Sequence, residues 1–189
     1  VAVEGLDDTW YAIAPPQVNL NEGERGAVTI VFSAPRSPSS RAGPHHMSIV
    51  VTSPNHPGRS ARQGATLILN PYFEFAVGEL SPKQQTISYM RRVGQTAIPI
   101  TNKGNSETPF RLSAEDNERG CSFEFHVPGQ ETGLAGQAEL RVQPEETLSV
   151  PVHITPLVRR LVGFGKHLYS YTLTTTPLEG VQTPRSLLG

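Results

Sequence analysis

The sequence predicts an all-β protein made of two tandem antiparallel β-sandwich domains, the first of them truncated at its N-terminal side. Three observations carry this expectation. Residues 18–58 align without a gap on residues 140–180, an offset of 122, with Glu24 on Glu146, Val28 on Val150, Gly43 on Gly165, His45 on His167, Ser48 on Ser170, Thr52 on Thr174 and Gly58 on Gly180. A repeat of on the order of 100 residues means two copies of one domain rather than a stack of small units. Short β-branched and aromatic stretches recur between turn residues. Seventeen Gly and seventeen Pro make up about 18% of the chain against an ordinary share of about 12%. No long window places apolar residues at i, i+3, i+4 and i+7 behind a capping residue, so helices are not expected.

The elements follow in order. Trp10-Tyr11-Ala12-Ile13 reads as the first clear strand. Val18 and Leu20 precede the turn Leu20-Asn21-Glu22-Gly23-Glu24, and Ala27–Phe32 follows with Val28, Ile30 and Phe32 on one face. Met47–Thr52 and Ala65–Leu69 are further strands. Asn70-Pro71 marks the boundary, giving domains 1–70 and 71–189, and so short a junction restricts how freely the two move.

In the second domain, Phe73, Phe75 and Val77 alternate with smaller or polar neighbours, and Ile98 and Ile100 do so within Gly94–Thr101. Asn102-Lys103-Gly104-Asn105 is a turn tetrad in which Gly and Asn tolerate positive φ. Phe110 and Leu112, then Phe123 and Phe125, mark strands on either side of the polar turn 115–120. Leu140 and Val142 pair with Leu148, Val150, Val152 and Ile154 around Gln143-Pro144-Glu145-Glu146, and Leu168–Thr174 follows with Tyr169, Tyr171 and Leu173 on one face. Seven or eight short strands in about 110 residues is the spacing of a two-sheet sandwich. Nothing in Val1–Asp8 replaces Ile98/Ile100 or Phe110/Leu112 in the first domain. Its edges are therefore expected to be open, to recruit another strand, or both.

Three segments carry a resemblance to a known family. Asn102-Lys103-Gly104-Asn105 followed by Phe110-Arg111-Leu112, the turn Leu20–Glu24, and Gly43-Pro44-His45-His46-Met47-Ser48-Ile49-Val50-Val51 resemble the recurrent motifs of bacterial immunoglobulin-like repeats. The NPCBM-associated repeats of large bacterial proteins are the nearer resemblance and the ASH/MSP-type sandwiches the more distant one. The resemblance implies a Greek-key immunoglobulin-like fold and an accessory or adhesive role beside other domains. The second copy departs from the pattern at Glu145, where glycine would stand.

The composition excludes several classes of function. A net charge of −1 and a pI near 6.7 give no broad footprint for nucleic acid or an anionic membrane. Arg91-Arg92 and Arg159-Arg160 lack the interleaved aromatics that stack bases. No apolar run of about 18 residues exists for a membrane span, and no signal peptide is present. Cys121 stands alone, so no intrachain disulfide forms. The chain begins at Val1 without Met and reads as a piece of a longer protein.

Catalytic signatures such as Gly-x-Ser-x-Gly, Ser-x-x-Lys and His-Glu-x-x-His are absent, so the chain is read as no enzyme, with no cofactor. His45 and His46 are adjacent on a strand and point to opposite faces, so with His56 they are expected to hold no metal. Glu115-Asp116-Asn117-Glu118 lacks the spacing of a calcium loop and reads as a solvated turn. Trp10 is read as core, and Cys121 as a small buried apolar residue. Tyr169 and Tyr171 are the candidate ligand-surface aromatics, for a glycan.

The expected function is a non-catalytic structural and interaction module of a larger bacterial protein, spacing or presenting neighbouring domains. A carbohydrate- or surface-binding accessory domain is the alternative. The expected partners are other domains of the parent protein or a second copy of the chain, with a glycan under the alternative reading, and neither nucleic acid nor inserted membrane. The compartment stays open, with a lean toward the cell envelope or the exterior.

Overall fold

The computed structural model describes residues 1–88, 92–157 and 168–189. The protein is all-β, with several antiparallel sheets. It divides into two compact units, Val1–Pro71 and Tyr72–Gly189.

The first unit contains β1 (Ala2–Glu4), β2 (Tyr11–Ala14), β3 (Thr29–Phe32), β4 (Gly43–Thr52) and β5 (Ser60–Leu69). They form a three-stranded sheet in the order β1-β4-β5 and a two-stranded sheet, β2-β3. Trp10 lies outside β2, at the end of a short 3-10 turn whose N-cap Asp7 accepts a hydrogen bond from the Thr9 amide. β1 was not expected. It pairs with β4 through Ala2↔Val50 and Val3↔Ile49, so Val1–Asp8 adds a strand after all. The buried apolar side chains of this unit are Val3, Met47 and Val50. Leu20, Val31, Val51 and Ile68 are exposed.

The second unit contains β6 (Phe75–Val77), β7 (Gly94–Asn102), β8 (Thr108–Asp116), β9 (Cys121–Phe125), β10 (Leu134–Ala135), β11 (Gln137–Val142), β12 (Thr147–Pro156), β13 (Tyr171–Pro177) and β14 (Arg185–Leu188). Two sheets result, β10-β9-β12-β7-β6 and β11-β8-β13-β14. Alternation decides which side chains face inward. Ile98, Ile100, Phe123, Phe125, Val150, Val152 and Ile154 from the first sheet join Phe110, Leu112, Leu140, Val142, Tyr171 and Leu173 from the second in one core. Two antiparallel sheets sharing one core are consistent with a β-sandwich. The last predicted strand begins later than expected: Leu168 is exposed, and pairing starts at Tyr171, held between Asp116 of β8 and the C-terminal Gly189.

Two turns repeat at the offset of 122. In the first unit the Glu24 amide donates to Asn21 O, and the Asn21 amide donates to the Glu24 carboxylate. In the second unit Glu146 and Gln143 make the same two bonds. Gly23 has φ +78° and Glu145 has φ +69°. The turn conformation is therefore kept at Glu145, at the steric cost a non-glycine residue bears there.

Val18 and Leu20 do not follow their counterparts. Leu140 and Val142 are buried because β11 pairs with β8 through Leu140↔Phe110 and Val142↔Thr108. Among the described residues the first unit has no strand in the position of β11, and Val18 and Leu20 remain exposed.

Candidate functional site

The aromatic pair singled out from the sequence does not form an exposed platform. Tyr171 is 8% exposed and its ring lies 5.8 Å from that of Phe123, inside the core. Burial pushes its phenol above the ordinary value. Tyr169 is half-buried against the same core, its ring over Gly120, where an added Cβ would meet it at 2.6 Å. A sugar ring needs an open aromatic face, and the carbohydrate reading loses its platform.

The other candidates have structural partners. His45 makes a hydrogen bond through Nε2 with Arg41 O at 2.8 Å and sets its ring at 71° to Trp10, which is half-buried. His46 Nδ1 contacts Thr66 Oγ1. The turn at Glu115–Glu118 is not wholly solvated. Asp116 is 8% exposed, and its carboxylate accepts from the amides of Glu118 and Gly120, fixing the turn that carries the chain from β8 in one sheet to β9 in the other. Cys121 is buried, and burial, reinforced by the Asp116 carboxylate, raises its thiol to about 11. Such a thiol carries little thiolate at neutral pH and is a poor nucleophile. Arg91, Arg159, Arg160, Gly165 and His167 lie outside the described residues.

A shallow concavity of about 350 Å³ lies over the β4–β5 turn, lined within residues 52–60, with Arg59 supplying its charge. The more distinctive chemistry is on the outer face of the five-stranded sheet. Phe123 and Phe125 point into the core, which turns Glu124 outward. His126 follows at i+2 and its amide donates to Pro151 O. In the antiparallel pairing of β9 with β12, His153 lies directly opposite Glu124. On its other side His153 lies opposite Gln95 of β7.

The rings of His126 and His153 are 4.0 Å apart between centroids. One ligand atom from each of Glu124, His126 and His153 lies within 4.8 Å of the other two. Gln95 Nε2 is 3.0 Å from His153 Nε2. His126 Nε2 is sealed from solvent without a hydrogen-bond partner, and its distance to the Glu124 carboxylate is 3.8 Å. Burial first, and the neighbouring His126 second, hold the His153 imidazole below its usual value, while the Glu124 carboxylate acts in the opposite direction.

Sequence analysis did not single out this cluster, although the chain itself carries one half of its signal. Glu124 and His126 stand two apart on an alternating strand. The other half, His153 opposite Glu124, depends on strand register, which spacing along the chain does not reveal.

No protein-family model matches the chain, and no curated protein is significantly similar to it.

Proposed function

We propose that the chain is a non-catalytic structural and interaction module of a larger bacterial protein, built from two immunoglobulin-like units, that spaces or presents neighbouring domains. The observation that carries this reading is the 122-residue offset in sequence, supported by the pairing of two strands that keep it. Ile30 and Val152, and Val50 and Thr172, stand 122 apart, while the strands beside them are displaced by other intervals. Ile13↔Ile30 in β2-β3 corresponds to Phe125↔Val152 in β9-β12. Val50, between Ala2 and Arg62, corresponds to Thr172, between Glu115 and Leu188. The β1-β4-β5 sheet thus matches β8-β13-β14, and β2-β3 matches β9-β12. The first unit is the same plan with fewer strands.

That difference gives the interaction. β5 is ten residues long and lies at an edge of its sheet, and among the described residues no strand pairs with its outer side. It contains no proline, its Arg62 is paired with Glu4, and Ile68 is 70% exposed. Unguarded edges of this kind accept an added strand through main-chain hydrogen bonds. A second copy of the chain supplies that strand in solution.

Sedimentation velocity over a concentration series tests this reading. The full chain is expected to associate reversibly, and Ile68→Lys to weaken the association, because an added charge at an edge opposes strand addition. A monomer at every concentration, with β5 amides as protected from hydrogen exchange as those of β12, would contradict the proposal.

A further inference from the structure

We propose that Glu124, His126 and His153 bind a divalent transition-metal ion, of which Zn²⁺ is the natural choice, on the outer face of the five-stranded sheet in the second unit. The geometry supports this at four points. Strand alternation and register bring a carboxylate and two imidazoles from β9, the residue after it, and β12 to one spot. Four-coordinate zinc with bonds of about 2.0–2.1 Å sets its ligand atoms roughly 3.3 Å apart. The three ligand atoms lie within 4.8 Å of one another, so about 1.5 Å of closure at most separates them from that spacing.

The second point is the unsatisfied nitrogen. A buried polar atom without a partner costs free energy, and His126 Nε2 is such an atom. At 3.8 Å the Glu124 carboxylate is too distant to be its hydrogen-bond acceptor. An ion seated between the three groups would satisfy it.

The third point is support from neighbouring residues. Ligating imidazoles donate their second ring N–H to an acceptor that sets ring orientation. The Gln95 side-chain amide stands 3.0 Å from His153 Nε2, and turned over to present its oxygen it would accept from that ring N–H. Glu124 is packed over Gly133, where any Cβ would overlap its carboxylate. Glycine there leaves the Glu124 side chain its position, and Ala135 of β10 lies opposite it on the edge strand.

The fourth point is ligand type. Two imidazoles and one carboxylate suit zinc and its first-row neighbours, whereas calcium and magnesium require all-oxygen sets. Three protein ligands leave a coordination position open for water or for a group from a partner. The ion would join β9 to β12 from outside the core. Under the repeat offset His153 corresponds to Val31, so the first unit carries no such site.

Isothermal titration of the untagged full chain with Zn²⁺ tests the assignment. The expected result is one saturable ion per chain, with no comparable uptake of Ca²⁺. His126→Ala and His153→Ala should each abolish it, and Gln95→Ala should weaken it about tenfold. A His45→Ala/His46→Ala control should bind as the parent does. A second readout does not depend on the variants folding: in the unsubstituted protein, ring-nitrogen resonances of His126 and His153 should shift as Zn²⁺ is added. Absence of saturable binding, binding retained in both single-histidine variants, or unmoved ring resonances of His126 and His153 would overturn the proposal.

Discussion

Asn102→Leu will destabilise the second unit by about 3–5 kcal/mol. Asn102 is fully buried at the end of β7. Its side-chain amide donates to Ser106 O and Val142 O, both at 2.8 Å, and to Thr108 Oγ1 at 3.3 Å, while its carbonyl oxygen accepts from the Gly104 amide at 2.9 Å. Leucine has a similar volume and none of these groups. Each partner left unsatisfied in the interior costs about 1–3 kcal/mol, and solvent can reach some of them after local relaxation. The loss should appear in urea denaturation as a lowered midpoint with an unchanged slope. A shift below about 1 kcal/mol would mean that this network does not hold the turn.

The second large effect is expected from Phe110→Ala, at about 3–5 kcal/mol. Phe110 is 0% exposed, lies 5.1 Å ring to ring from Phe75, and stands on β8 between β11 and β13. Truncating it removes apolar area and leaves a cavity bounded by both sheets, which cannot collapse without disturbing their pairing. Val31→Ser in the first unit should cost within about 0.5 kcal/mol, because Val31 is 57% exposed and exposed positions contribute little. Thermal melts of the two variants measure the contrast directly. Equal effects would mean that the first unit buries Val31 in solution.

Most of the second unit's core is legible in the sequence, because each strand declares its inner face by alternation. Ile98/Ile100, Phe110/Leu112, Phe123/Phe125 and Val150/Val152/Ile154 all face inward as alternation requires. Short edge strands are not legible. β10 and β14 are two and four residues long, and their place is set by a neighbouring strand rather than by their own pattern. The same holds for β1, whose three residues become a strand only beside β4.

The turn at Asn102–Asn105 is placed correctly by its composition, but its mechanism differs from the one expected. None of its four residues has positive φ. Gly104 is required by close approach instead, since a Cβ there would lie 2.5 Å from Tyr72 O. Asn105 accepts from the Tyr72 amide at 2.8 Å, and the Lys103 amide donates to Glu74 O. Such contacts join residues about 30 positions apart and leave no local signature. Tyr171 is misread for a related reason. Alternation shows which face it shares with Leu173, but Phe123 and the opposing sheet decide that this face is the interior.

The acid cluster shows the same limit. Asp116 looks solvated in sequence because its neighbours are polar, yet its carboxylate is buried on two backbone amides. Glu124, His126 and His153 form the clearest case. One residue pair is visible along the chain, and the third member is supplied by register across β9 and β12.

Differential scanning calorimetry of the full chain beside residues 72–189 tests the two-unit account most directly. The second unit has its own closed core, including Ile98, Phe110, Phe125, Val150 and Leu173, so residues 72–189 should unfold cooperatively at the temperature of the full chain's main transition. The first unit should add a separate, weaker transition, because Val3, Met47 and Val50 supply its buried apolar side chains. An unfolded 72–189 piece alongside a cooperatively folded full chain would contradict the division into two units.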